Sequence, residues 1–229
     1  MNKELLQNRF RRAAEAVDQA ADAAGRSGEI TLLAVSKTVD TDAIQALYEI
    51  GVRDFGENRE PELERKSKAL PDDIKWHFIG RLQSNKIRKI IRHAAVIHSV
   101  DSAALLQRID RIAGEEGRVP EIFIEVSISG EEQKGGVSPA ELPALLNTAL
   151  ECRNISLCGL MTMAPFDAGR EELLRVFGGL AALRDQLNQR HQKTILTGLS
   201  MGMSGDFNEA IQCGATVVRL GSVIFSEAE

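Results

Sequence analysis

The stretch Ile30-Thr31-Leu32-Leu33-Ala34-Val35-Ser36-Lys37-Thr38-Val39-Asp40-Thr41-Asp42-Ala43-Ile44-Gln45-Ala46-Leu47-Tyr48-Glu49-Ile50-Gly51-Val52-Arg53-Asp54-Phe55 reads as strand, helix, strand. Ile30–Ser36 is an uninterrupted β-branched and aliphatic run. Asp40–Ile50 then places Ile44, Leu47 and Tyr48 on one helical face, Gly51 ends it, and Val52–Phe55 is a second short strand. A strand without polar alternation, followed by a helix and another such strand, builds a parallel sheet covered on both faces.

The same unit recurs outward in both directions. Upstream, residues 3–24 carry Leu6, Phe10, Ala13, Val17 and Ala20 at helical spacing, with Gly25 as a stop. Downstream, a helix of mixed charge runs to about Leu70. Trp76–Ile79 is a strand, and Asn85 caps a helix bearing Ile87, Ile90 and Ile91. Ala95–Val100 is a strand, followed by a helix capped by Asp101 or Ser102 with Leu105, Leu106, Ile109 and Ile112 inward. Glu121–Ile128 comes next, and Ser138-Pro139 opens a helix with Leu142, Leu145, Leu146 and Ala149, whose first turns Pro143 disturbs. The remainder runs Ser156–Met163 (strand), Glu171–Gln189 (helix), Thr194–Leu199 (strand), a short helix to Gln212, and Thr216–Gly221 (strand). Eight strands, each but the last followed by a helix, favour a closed (β/α)₈ barrel over an open doubly wound sheet. The expectation is an α/β protein, one TIM-type barrel spanning residues 1–229 as a single domain. The extra N-terminal helix would cover the closing seam.

Composition narrows the function. The chain has 229 residues, 43% hydrophobic and 27% charged, with a net charge of −5. That sign argues against nucleic acid, whose binding rests on neutralising phosphates with Lys and Arg. Aromatics at 4% leave few stacking platforms for single strands. No apolar run approaches the ~20 residues that span a bilayer, and Met1-Asn2-Lys3-Glu4 opens a polar helix rather than a signal peptide. Cys152, Cys158 and Cys213 are an odd count without metal-type spacing, so reduced thiols in a cytoplasm and no metal site are expected.

In such a barrel the chemistry lies at the C-terminal ends of the strands. Lys37 ends the run Leu32-Leu33-Ala34-Val35. Its amine either sits near apolar walls, where desolvation frees it as a nucleophile, or snorkels to solvent. Gly202-Met203-Ser204-Gly205-Asp206 lies between strand seven and a short helix, and Arg219-Leu220-Gly221-Ser222 ends strand eight; phosphate sites after strands seven and eight are frequent in this fold. Ser204 and Asp206 are otherwise helix caps, and Gly221 a turn. The fifth strand leads to Ser129-Gly130-Glu131-Glu132 and Lys134-Gly135-Gly136. His77 reads as a structural histidine. Lys86, Arg88, Lys89 and Arg92 read as a solvated basic face or as a second, exterior phosphate contact.

Several stretches together resemble one family. They are Leu33-Ala34-Val35-Ser36-Lys37, Phe55-Gly56-Glu57-Asn58, Trp76-His77-Phe78-Ile79-Gly80-Arg81-Leu82-Gln83-Ser84-Asn85-Lys86 and His98-Ser99-Val100-Asp101, then Gly159-Leu160-Met161-Thr162-Met163, Leu199 through Phe207, and Val218-Arg219-Leu220-Gly221-Ser222. The chain is similar to the pyridoxal-phosphate homeostasis proteins, whose barrel resembles the N-terminal domain of bacterial alanine racemase. The resemblance implies pyridoxal 5′-phosphate (PLP) as cofactor, held as an aldimine on Lys37. It implies Ser204, Gly205, Arg219, Gly221 and Ser222 around the phosphate or ring. Arg219 would face either the pyridine nitrogen, where it would disfavour ring protonation, or the phosphate. Asn58 is a candidate for the ring-hydroxyl side or for loop packing. Met161 and Met163, on one strand face, either pad the ring or fill the barrel. Arg59-Glu60-Pro61-Glu62, Gly135-Gly136 and Ser226 depart from the family pattern without removing a cofactor residue.

Alanine racemase takes its opposing catalytic tyrosine from a second domain of a partner subunit. Here Tyr48 is the only tyrosine, on a helix position expected to face the core. The resemblance therefore implies a cytoplasmic, monomeric PLP carrier acting in vitamin B6 and amino-acid homeostasis without efficient catalysis. PLP-dependent apoenzymes are its expected partners, with no nucleic acid and no membrane. The alternatives are a slow PLP-dependent racemase or lyase, and a barrel that binds another phosphorylated metabolite without a Schiff base.

Overall fold

Runs of Val, Ile, Leu and Phe form strands here because both of their faces are covered. All five residues of β4 (Val96–Val100) are buried. The computed structural model describes residues 2–130, 135–192 and 195–226. The other strands are β1 (Thr31–Val35), β2 (Asp54–Glu57), β3 (Lys75–Phe78), β5 (Glu121–Glu125), β6 (Ser156–Met161), β7 (Gly198–Met203) and β8 (Val217–Leu220). Each pairs in parallel with the next, and β1 pairs with β8 through Leu33↔Arg219 and Ala34↔Leu220, closing an eight-stranded barrel.

Helices fill the outside: α1 (Lys3–Ala23), α2 (Thr41–Tyr48), α3 (Glu60–Ala69), α4 (Ile87–His93), α5 (Ala103–Glu116), α6 (Leu142–Glu151), α7 (Arg170–Arg190), α8 (Phe207–Gln212) and α9 (Ser222–Phe225). Asn2 caps α1, its side-chain oxygen accepting the amides of Glu4 and Leu5. α1 packs against α2, α8 and α9, so it does cover the seam. Strand alternation separates two apolar clusters. Leu33, Val96, Phe123, Met161 and Val217 meet inside the barrel, while Ala34, Val218 and Leu220 join the larger core between sheet and helices. Among the described residues no helix is long and apolar enough to cross a membrane.

Several boundaries differ from the sequence reading. β2 lies two residues later than Val52–Phe55, because Gly56 and Glu57 continue the ladder opposite His77 and Phe78. β7 is Gly198–Met203 rather than Thr194–Leu199, and Thr194 lies outside the described residues. Its glycines disguise it: a Cβ at Gly198 would lie 2.7 Å from the Phe123 ring, and one at Gly202 would lie 2.6 Å from Ala210 Cβ. β5 and β6 stop at Glu125 and Met161. Lys86, not Asn85, stands at the N-terminus of α4. Ser138 and Glu141 form a reciprocal capping box, and the α-helix proper begins at Leu142 with Pro143 in its first turn. The last strand also has a helix, the four-residue α9. Tyr48 is only half-buried, drawn to the surface by its hydroxyl bond to Asp73 (2.7 Å) and by the Arg53 guanidinium over its ring.

Candidate functional site

A cavity of about 590 Å³ opens at the C-terminal ends of the strands. It brings together Lys37, Asn58, Met161, Ser204, Gly205, Arg219, Gly221 and Ser222, with Val35, Ile79 and His98 among its other walls. A larger groove of about 740 Å³ lies outside the barrel along α1 and α2. The strand-end cavity is the candidate, because a buried guanidinium, an amine and two loop hydroxyls converge on it.

Lys37 stands in the turn that follows β1, two residues beyond Val35, and is exposed at the cavity rim. Of the two placements that its apolar run allows, the exposed one is observed, because the run ends before the lysine. Its backbone is held firmly. Ser36 N–H donates to Gly56 O (3.0 Å), and the buried Lys66 ammonium donates to Ser36 O (2.9 Å) and Glu57 Oε1 (2.8 Å). The Ser36 hydroxyl also donates to Glu57. This Ser36–Glu57–Lys66 cluster escaped the sequence reading, in which Lys66 is one charge among many on a polar helix.

Asn58 follows β2 and is exposed. A Cβ at Gly80 would fall 2.0 Å from Asn58 O, so only glycine allows the second and third loops to approach this closely. Met161 is buried at the end of β6, but Met163 lies beyond that strand, with Thr162 between them anchored to Val126 O through its hydroxyl (2.8 Å). Both methionines line the cavity.

Arg219 is a strand residue, within the run Thr216–Gly221 expected to form the last strand. It rises from β8 into the barrel, fully buried, donating from Nη1 to Ser200 Oγ (2.8 Å) and from Nη2 to Thr162 O (3.1 Å). Burial pulls its pKa down to about 10 against the opposing pull of Asp206 and Glu125, so it is cationic at neutral pH. Burial likewise raises the pKa of Asp206 and Glu125. Ser204 and Gly205 form the loop between β7 and α8, in which Asp206 Oδ1 accepts the Met203 amide. The Gly221 amide donates to Ser204 Oγ (3.4 Å) and joins this loop to the one after β8. Gly205 has open space where a Cβ would stand, whereas a Cβ at Gly221 would lie 3.4 Å from Val35 Cβ and Val35 O.

The remaining candidates fall elsewhere. His77 is buried, with both ring nitrogens in hydrogen bonds. Lys86 and Lys89 pair with Glu60 (2.9 and 3.3 Å), and Arg92 pairs with Glu116 (2.7 Å). Arg88 also pairs with Glu115 and Glu116, so the basic face is internally compensated. Glu60, one of the departures from the family pattern, serves that network. The three cysteines are free thiols. Among the described residues no cluster of three or more His, Cys, Asp or Glu is arranged for a metal ion. Glu131, Glu132 and Lys134 lie outside the described residues. His98, which lines the cavity, and the buried Ser200 and Thr162, which hold Arg219, have no role readable from the sequence motifs alone. What signal the sequence holds is the polar pair His98-Ser99 inside an apolar strand.

Residues 8–229 match the family model of the alanine racemase N-terminal domain. The chain is 42% identical over 221 residues to the pyridoxal phosphate homeostasis protein of Aquifex aeolicus (strain VF5), covering 96% of each. It is 42% identical over 200 residues to the protein of the same name from Synechocystis sp. (strain ATCC 27184 / PCC 6803 / Kazusa), covering 86% of this chain and 91% of that one. Among solved structures it is similar to PipY of Synechococcus elongatus PCC7942 with PLP bound, at 37% identity and a TM-score of 0.86. That match covers 96% of this chain and 100% of that one.

Proposed function

The chain belongs to the family of the alanine racemase N-terminal domain and, within it, to the pyridoxal phosphate homeostasis proteins, and we propose that it holds PLP in the strand-end cavity. One observation carries the reading: an amine (Lys37), a buried guanidinium (Arg219) and the tied loops of Ser204-Gly205 and Gly221-Ser222 face one cavity. The donor set fits this cofactor. Two hydroxyls and loop amides suit a phosphate group, Met161, Ile79 and Val35 offer apolar contact for a ring, and the volume admits a small aromatic phosphate.

When bound, PLP supplies an aldehyde that condenses reversibly with a primary amine, with loss of water. Lys37 is that amine, held in place by the Lys66 and Gly56 contacts to Ser36. Ser204, Gly205, Gly221 and Ser222 take the phosphate, and Asn58 stands toward the ring hydroxyl. Arg219 serves the ring nitrogen rather than the phosphate, since Ser200 and Thr162 hold its guanidinium at the floor, below both loops. A permanent donor there disfavours protonation of the ring and makes it a weaker electron sink. This suits custody of the cofactor more than carbanion chemistry. The three free thiols fit a reducing cytoplasm. The barrel acts as one unit and as a monomer, with PLP-dependent apoenzymes as its partners in vitamin B6 and amino-acid homeostasis.

The test is an absorbance titration with PLP, borohydride reduction and peptide mapping. The label is expected on Lys37, with no visible band in Lys37→Ala. A normal band in that variant would sink the assignment. Turnover is the second reading, favoured by Asp206, a carboxyl that lines the cavity beside Ser204 and Gly205 and whose pKa burial raises. Racemisation or lyase activity lost in both Lys37→Ala and Asp206→Asn would establish it.

A further inference from the structure

A line of polar side chains runs from the cavity floor through the barrel. Arg219 Nη1 donates to Ser200 Oγ (2.8 Å), and Ser200 Oγ lies 2.8 Å from His98 Nδ1. His98 Nε2 lies 2.9 Å from His77 Nδ1, and His77 Nε2 lies 3.0 Å from Asp54 Oδ1. These residues come from β8, β7, β4, β3 and β2. Because β4 and β7 are not neighbours in the sheet, the Ser200–His98 bond crosses the interior. Four of the five are buried. Asp54, the first residue of β2, is 31% exposed at the end of the barrel away from the cavity.

Donor and acceptor chemistry gives the line a direction. A carboxylate only accepts and a guanidinium only donates, so His77 gives its Nε2 proton to Asp54 and the Ser200 oxygen receives the Arg219 hydrogen. With both rings neutral, His77 Nδ1 accepts from His98 Nε2, and His98 Nδ1 accepts the Ser200 hydroxyl proton. Every bond points the same way. His98 therefore has no free nitrogen for a ligand although it lines the cavity. Its ring stacks on Phe123, with centroids 4.8 Å apart and planes at 14°, which fixes its plane.

We propose that Asp54, His77, His98 and Ser200 are positioning residues that hold Arg219 against the cavity floor, so that a carboxylate at the far mouth of the barrel governs how the cofactor ring is gripped. The inference rests on the assignment of the cavity to PLP. Arg219 has two tethers, Thr162 O and Ser200 Oγ. Without the second, the guanidinium is free to turn toward Asp206 or Glu125, both of which attract it electrostatically. Among the described residues the line is enclosed from Ser200 to His77.

Two measurements on the full chain decide it. Imidazole ¹⁵N spectra without added PLP are expected to show His77 and His98 neutral at pH 7 with the proton on Nε2, and a proton on Nδ1 of either ring overturns the direction of the line. PLP titration followed by absorbance is expected to show about tenfold weaker uptake and altered band balance in Ser200→Ala and His98→Phe. His98→Gln, which retains one acceptor and one donor, should recover most of that loss. Asp54→Ala should act in the same direction by about threefold, and because Asp54 is partly exposed it keeps the test alive if His98→Phe does not fold. Wild-type affinity and bands in folded Ser200→Ala and Asp54→Ala overturn the positioning role alone. Failure of the wild type to take up PLP overturns the cavity assignment and the role with it.

Discussion

Replacing Lys66 with methionine should destabilise the protein by about 3–5 kcal/mol, the range for breaking a buried ion pair from one side. Lys66 is 1% exposed and Glu57 0%, and their contact is 2.8 Å. Glu57 Oε2 has no hydrogen-bond partner among the described residues, so the carboxylate depends on Lys66 and the Ser36 hydroxyl through its other oxygen. Methionine occupies similar volume, so little of the loss comes from a cavity. What remains is a buried carboxylate with one donor and a Ser36 carbonyl with none from the lysine. Urea unfolding at pH 7 measures the change, and the melting temperature should fall by about 6–20 °C. Adding Glu57→Leu should restore most of the loss, because an apolar pair needs no compensation and the Ser36 hydroxyl retains Gly56 O at 3.3 Å. A single variant within about 1 kcal/mol of wild type, or a double variant no better than the single, would refute the reasoning.

Three further outcomes are expected. Burial lowers the pKa of His77 and holds that of His98 well below the ordinary value, so the unfolded chain binds more protons below about pH 6.5. Stability present above that pH should fall on acidification by up to about 1.4 kcal/mol per pH unit for each ring, and His98→Gln should flatten the dependence of urea midpoints between pH 7.5 and 5. Gly80→Ala should cost about 1–3 kcal/mol in urea unfolding and weaken PLP uptake, because its Cβ collides with Asn58 O; an unperturbed variant would show that the loops yield freely. Gly205→Val should leave stability within about 0.5 kcal/mol yet weaken PLP uptake, since its side chain enters open space at the phosphate loop; unchanged affinity would move the phosphate elsewhere.

The alternation of buried strands and amphipathic helices was legible in the chain because both patterns are local, set by periods of about 2 and 3.6 residues. Eight such units favour closure over an open doubly wound sheet. The cavity residues were legible for a related reason: in a barrel of parallel strands every strand-end residue faces the same mouth, so Lys37, Asn58, Ser204 and Gly221 need no further information to be brought together. β7 was misplaced because its pattern follows its neighbours rather than its own propensity. Gly198 gives way to the Phe123 ring, and Gly202 to Ala210.

Exposure and partnership belong to the tertiary structure alone. Lys37 follows an apolar run yet emerges at the rim, a matter of where the wall stops. Lys66 looks like any lysine of a polar helix until Glu57 and Ser36 meet it in the interior. Arg219, Ser200, His98, His77 and Asp54 lie on five strands, and no spacing along the chain relates them. Periodicity says which face a side chain takes, but a hydrogen bond requires two atoms within about 3 Å, and only the closed barrel sets that distance.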